Sequence, residues 1–181
     1  MVAPVRFEGE ILVITGPPGA GKSTVAARFV TELDRGVLLD GDSFFQSIRT
    51  GWIPPWEPDS SDQNDVVIDA LGAAAGRFAS GRYRVVVDGI IGPWLLERFA
   101  AAAAAPLHYA VLRPAAEVAM ARATARGEPW LVEPAPIAKM HRQFADLGDR
   151  ERYAIDTTDD DIDSTLSQVR DSLSAGRLRL S

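Results

Sequence analysis

Apolar residues in this sequence alternate between two patterns. Five short runs, Glu10 to Thr15 (EILVIT), Gly36 to Asp40 (GVLLD), Tyr83 to Asp88 (YRVVVD), Leu107 to Arg113 (LHYAVLR) and Arg152 to Asp156 (RYAID), predict strands covered on both faces. Between them, apolar positions recur at helical spacing. Ser23 to Leu33 places Val25, Phe29, Val30 and Leu33 on one face. Similar stretches cover roughly Asp62 to Ser80, Pro93 to Ala104, Pro114 to Ala125, Pro136 to Leu147 and Asp161 to Ala175. Pro93, Pro114 and Pro136 fit the first helical turn, where no N–H is lost, and Asp161 suits the positive helix end. The alternation predicts an α/β chain, a five-stranded parallel sheet with helices on both faces, forming three layers in one domain over residues 1–181.

Composition narrows what such a domain does. With 181 residues and 46% apolar content, the chain has enough side chains to cover a sheet twice. Met1 to Arg6 leads straight into a short apolar run unlike a signal peptide, and no 18 apolar residues stand in a row. A cytoplasmic protein that does not bind membranes is expected. The absence of cysteine excludes disulfides, thiolate zinc sites and cysteine nucleophiles, and two isolated histidines, His108 and His141, make no metal site. A net charge of −6 repels polyanions, which argues against nucleic acid and for a small-molecule partner, bound by a monomer or homodimer.

Between the first strand and the first helix stands GPPGAGKST, comprising Gly16, Pro17, Pro18, Gly19, Ala20, Gly21, Lys22, Ser23 and Thr24, which satisfies G-x-x-x-x-G-K-[ST]. The spacing has a mechanical meaning. Glycines let the backbone curl so that successive N–H groups point at phosphate oxygens, and the helix adds the positive end of its dipole. Lys22 is then placed to reach the β and γ phosphates of ATP, and the Ser23 hydroxyl to ligate Mg²⁺. Lys22 and Lys139 are the only lysines, so a chance match has odds of about one in a thousand. The competing account is a glycine-rich turn that binds nothing; the position of the motif between a strand and a helix favours the phosphate site.

Neighbouring segments separate the P-loop classes. Guanine-specific GTPases carry N-K-x-D, whereas Lys139 lies in AKMH. Ring ATPases need a longer core and a helical lid domain than this chain offers after its fifth strand. The chain resembles instead the compact P-loop kinases of the gluconate kinase, adenylylsulfate kinase and chloramphenicol phosphotransferase group, the last most closely. The resemblance rests on GPPGAGKST, Asp42-Ser43 in LLDGDSF, VVVDG at Asp88, ARATARG and AIDTT, which span nearly the whole chain. It implies a three-layer, nucleoside-kinase-like P-loop NTPase fold. It further implies an acidic residue after the second strand, an arginine-bearing lid at about residues 126–136, and adenine near Thr157. The insertion GWIPPWEPD matches no acceptor site of the group, so the group's substrates do not transfer.

Other residues take roles by position. Asp42 follows the second strand, on the edge where open α/β sheets bind ligands. Its carboxylate suits taking a proton from an acceptor hydroxyl or orienting it. The alternatives are that Asp42 only caps a short helix from Ser43 to Arg49, or that Asp40 is the base. Asp88, after three valines, is placed to hold Mg²⁺ through water, or else to cap or turn the chain. Arg122 and Arg126, four apart on one helix, fit a clamp on the transferring phosphoryl group, with Arg122 also at the nucleotide and Arg113 a candidate at the acceptor. The same spacing also arises on an ordinary surface of an arginine-rich chain. Trp52, Trp56, Trp94 and Trp130 all follow strands, and the first three either wall an acceptor pocket or supply apolar ballast to loops. Together these residues predict ATP- and Mg²⁺-dependent phosphate transfer to a hydroxyl of a small metabolite or antibiotic. A regulatory nucleotide-binding protein with slow ATPase activity and a toxin-like nucleotide-sugar kinase are the alternatives.

Overall fold

The computed structural model describes residues 9–125 and 133–180. Its strands are β1 (Ile11–Thr15), β2 (Gly36–Asp40), β3 (Arg84–Asp88), β4 (Leu107–Leu112) and β5 (Ala154–Ile155), all parallel in the order β2-β3-β1-β4-β5. The helices are α1 (Lys22–Val30), α2 (Gly41–Gln46), α3 (Ser61–Ser80), α4 (Pro93–Ala103), α5 (Ala116–Ala125), α6 (Pro134–Ala145) and α7 (Ile162–Ser174). Short 3₁₀ turns occupy Pro58–Ser60 and Gly148–Tyr153.

The uninterrupted apolar runs have a direct cause: β1 lies at the centre of the sheet and both of its faces are dry. Ile11 and Val13 pack with Val85, Val87, Tyr109 and Val111 under α3 and α4, where Ile68, Leu71, Leu96 and Phe99 close the layer. The alternate residues Leu12 and Ile14 pack with Val86, Ala110 and Leu112 under α1 and α7, through Val25, Phe29, Leu166 and Val169. Strand period 2 thus sorts one run into two cores. Each fully buried side chain of this size contributes roughly 1.5–3 kcal/mol, so the sheet is a rigid base for whatever its loops carry. The first crossover leads from β1 to β2 on one side and a later one to β4 on the other. The loop after β1 therefore sits where the strand order reverses, the usual ligand crevice of open α/β sheets. Among the described residues no helix is long and apolar enough to cross a membrane.

Several boundaries differ from those the sequence predicts. The fifth strand is only two residues long, because the lower edge of β4 is taken by the chain end. Tyr109 N donates to Leu178 O at 2.8 Å and Leu180 N to Leu107 O at 2.9 Å. Arg152 and Tyr153 accordingly lie in the 3₁₀ turn, and the Tyr153 ring turns inward against Tyr109 at 5.8 Å between centroids. Helix α1 ends at Val30, since Thr31, Glu32 and Leu33 donate to the carbonyls three residues back. Helix α5 begins at Ala116, after Ala115 N has been drawn to Thr158 Oγ1, leaving Pro114 outside the helix. Helix α6 takes Pro134 rather than Pro136 at its start; Pro136 stays in the first turn, where its missing N–H costs nothing.

Candidate active site

The loop after β1 is built for close approach. Gly19 adopts φ +80°, and a Cβ there would stand 2.0 Å from the Ala119 carbonyl oxygen, so only glycine lets the loop rest on α5. Gly21 precedes α1, and the first amides of that helix lack intrahelical acceptors, which makes them an anion cradle. Lys22 is 8% exposed, with Nζ donating to Pro17 O at 3.0 Å. Its ammonium is thus folded back over the loop it serves, and all of Gly16 to Thr24 forms one continuous turn and helix start.

Asp88 ends β3 in register with Ile14 on one side and Asp40 on the other. It is 6% exposed and accepts a hydrogen bond from the Ser23 side chain. Burial pushes its carboxyl above the usual carboxylate range; Lys22 and the Ser23 bond pull the other way, while Asp40 and Asp42 push it further up. One oxygen, Oδ1, is buried with no hydrogen-bond partner. A buried carboxylate left short of partners beside a P-loop hydroxyl fits a hard cation. Among the described residues no cluster of three or more protein ligands exists. Mg²⁺ does not require one, because it keeps waters and nucleotide oxygens and takes one or two carboxylates.

The acidic pair at the start of α2 divides its labour. Asp40 is the N-cap: Oδ1 accepts from Asp42 N at 3.0 Å and Oδ2 from Ser43 Oγ at 2.6 Å. The helix-capping role considered for Asp42 therefore falls to Asp40, whose two oxygens are committed to it. Asp42 stands exposed in the first turn and lines the cavity.

That cavity encloses about 850 Å³ and runs from Gly19, Lys22, Ser23 and Asp88 past Asp42 to Trp52, Trp56 and Trp94. Its aromatic wall is braced. Gln63 grips Ile53 from both sides, Oε1 accepting from Ile53 N at 2.8 Å and Nε2 donating to Ile53 O at 2.7 Å. Asn64 Nδ2 and Ser60 Oγ both donate to Pro55 O, at 2.8 and 2.9 Å. Trp52 and Trp56 meet edge to face, 6.4 Å apart at 80°. Trp94, also in the lining, packs on Phe144 at 5.3 Å, and its ring lies close to where a Cβ on Gly92 would be, 2.1 Å away. The segment leading to it hangs from two hooks, Ile91 N donating to Thr15 Oγ1 and Tyr109 Oη donating to Ile91 O. Burial pushes the Tyr109 hydroxyl far above its ordinary range, so it remains a donor.

Some lining residues had no role assigned from the sequence. Lys139 on α6 donates to Trp56 O at 3.4 Å, joining the helix after residues 126–132 to the aromatic loop. Arg49, Asn64 and Gln143 also face the cavity. Only the scarcity of lysine singled out Lys139 beforehand. Arg113, expected at the acceptor, is not among the cavity-lining residues. It donates to Glu151 and to the Phe144 and Ala145 carbonyls, tying the end of α6 to the 3₁₀ turn. Arg122 reaches the Thr157 and Asp160 carbonyls, at 3.5 and 3.4 Å, bringing these two sequence candidates together outside the cavity wall. Arg126, Trp130 and the first part of the expected lid lie outside the described residues.

Comparison with known proteins agrees with this geometry. Residues 11–147 match a family model described as an AAA domain. A cytidylate kinase from Sulfurisphaera tokodaii is 31% identical over 91 residues, 50% of this chain and 51% of that protein. The chain thus spans about half the length of the curated relative it matches. A gluconokinase from Sinorhizobium meliloti superposes with a TM-score of 0.66 at 17% identity, covering 95% of each chain. The tunicamycin resistance protein of Deinococcus radiodurans gives 0.67 at 16%, covering 95% of this chain and 98% of that one. At such identities the superpositions establish the fold, while the family match spans everything from β1 through α6. The chain belongs to the AAA domain family and has the fold of a small P-loop kinase.

Proposed function

We propose that the protein transfers the γ-phosphoryl group of ATP to a hydroxyl of a small molecule. The observation that carries this reading is that Lys22, Ser23 and Asp88 open onto the same cavity as Asp42 and the braced tryptophans. A triphosphate grasped at one end and an alcohol held at the other are thereby brought to one point. The likeness to a gluconokinase and to a tunicamycin resistance protein supports a small metabolite or antibiotic as acceptor.

ATP with Mg²⁺ supplies the transferable group and neutralises part of its charge. The loop amides from Gly19 to Thr24 would hold phosphate oxygens, Pro17 and Pro18 having no N–H to give, and Lys22 Nζ would leave Pro17 O for them. Ser23 and Asp88 would hold the cation, which would give the underpartnered Asp88 oxygen a neighbour. Asp42 accepts the proton of the attacking hydroxyl or orients it, because Asp40 is occupied at the helix cap. Arg122, held at the Thr157 and Asp160 carbonyls, would supply a counter-charge for the phosphoryl group, and Thr157 would lie near the adenine.

Phosphorus NMR on the protein with ATP, Mg²⁺ and a panel of hydroxyl compounds tests the reading. A phosphomonoester signal alongside ADP is expected, and Lys22→Ala, which loses nucleotide binding, is expected to lower turnover by about a thousandfold or more. ADP and inorganic phosphate with no phosphorylated acceptor would reject transfer in favour of a slow ATPase.

A further inference from the structure

This inference rests on the phosphotransfer reading and concerns the acceptor end of the same cavity. We infer that the acceptor is an uncharged alcohol bearing a flat ring, not a carboxylate- or phosphate-bearing one.

Shape is the first observation. Trp52 and Trp56 stand nearly perpendicular and both line the cavity, so two indole surfaces meet there at an angle. Trp52 is 45% exposed although it lines the cavity, which leaves a large apolar surface toward solvent. The corner is also preformed. Pro54 and Pro55 restrict the backbone, and Gln63, Asn64 and Ser60 fasten it by the bonds described above. A rigid aromatic corner costs little ordering on binding and selects a flat group over a flexible chain. The remaining wall on this side is largely hydrocarbon, from Ile48, Ile68, Leu95 and Met140.

Charge is the second observation, and it is independent of the first. An anionic acceptor needs convergent donors, best of all paired arginines that grip it bidentately. Among the described residues at this end, the cations are Arg49 and Lys139, and Lys139 already serves Trp56 O. Asp42 and Glu57 face the same space and offset them. Asp65 shares Arg98 with Asp69, at 2.8 and 2.7 Å. The balance is no better than neutral, so among the described residues a carboxylate or phosphate would lose its water without gaining a dedicated partner, while a neutral ring with hydroxyls loses little.

The test uses matched pairs on the full chain loaded with ADP and Mg²⁺: phenyl glucoside against phenyl glucuronide, and cytidine against cytidine monophosphate. Binding is read by tryptophan fluorescence and transfer by coupled ADP release with ATP. The neutral member of each pair is expected to bind at least tenfold more tightly. Trp52→Ala is expected to raise its KM about tenfold with little change in kcat, and Trp52→Phe to restore most of the loss. Tighter binding of the glucuronide or of cytidine monophosphate would overturn the inference and leave phosphotransfer standing. Equal binding of both members, or indifference to Trp52→Ala, would overturn it too. A protein that binds no ATP in calorimetry would instead remove the phosphotransfer reading itself.

Discussion

The two ends of the cavity are made from different material. The phosphate end is mainly backbone and short range, one turn after β1 and the first amides of α1, completed by one carboxylate from the neighbouring strand and all fixed by the central sheet. The acceptor end is side chain and long range, drawing on α2, the loop through Trp56, α3, α4 and α6, which meet only in three dimensions. Backbone sites tolerate change around them but fail when their few special residues change. Side-chain sites can be retuned one contact at a time. The consequence is a division between what ought to be shared by relatives and what ought to distinguish this chain.

Asp42→Asn probes the junction between the ends, where the largest expected effect after loss of Lys22 belongs. Transfer is expected to fall about 10²–10³-fold, with ATP affinity within about twofold of wild type. Because Asp40 caps α2, the variant should melt normally. Asp40→Ala is the informative contrast, removing the cap at a cost of about 1 kcal/mol of stability. If Asp42→Asn keeps full activity, Asp42 is not the general base.

Asp88→Asn separates stability from function at the phosphate end. Burial raises the Asp88 pKa, so the folded protein binds this proton more tightly than the unfolded chain does. Stability therefore falls as pH climbs through and above the ordinary carboxylate range, and Asn removes that fall. Without nucleotide, the variant should melt higher than wild type near pH 7, with the difference closing toward about pH 4. With nucleotide and Mg²⁺ the order should reverse, because the cation loses its carboxylate. A variant that responds to Mg²⁺ like wild type would place the cation elsewhere.

The same division governs how much was legible in the sequence. Runs such as EILVIT and VVVD are readable because a strand buried on both faces must be apolar at every position, and the P-loop because its spacing is geometric. The three tryptophans were legible as residues following strands, which topology alone sends to one edge. The brace made by Gln63 and the reach of Lys139 to Trp56 O, 83 positions back, were not, since no local pattern marks a long-range contact. Nor was the short β5, displaced by Leu178 and Leu180 from the far end of the chain. Arg113 shows the limit most clearly: the residue after β4 was visible, but its partner Glu151 was not.

Gln63→Ala tests the brace directly. It removes both bonds to Ile53 while leaving the indoles in place, so acceptor KM should rise about fivefold to tenfold and nucleotide KM stay within about twofold. Equal effects on both substrates would mean that the loop serves the whole fold.

The smallest expected effect decides where Arg113 belongs. Glu151→Gln cuts its charged link and leaves the Phe144 and Ala145 carbonyls as its acceptors. Arg113 holds the Glu151 carboxyl below the usual carboxylate range, so the link contributes at neutral pH and is lost as pH falls through that range. Glu151 is exposed and Arg113 only partly buried, so water screens the attraction and only a small drop in melting temperature is expected, shrinking in acid. Acceptor kcat and KM should stay within about 1.5-fold, because the guanidinium faces the end of α6 and not the cavity. A change beyond about threefold in acceptor KM alone would show that Arg113, once released, reaches the acceptor. The boundary between the sheet scaffold and the retunable end would then have to be redrawn through β4.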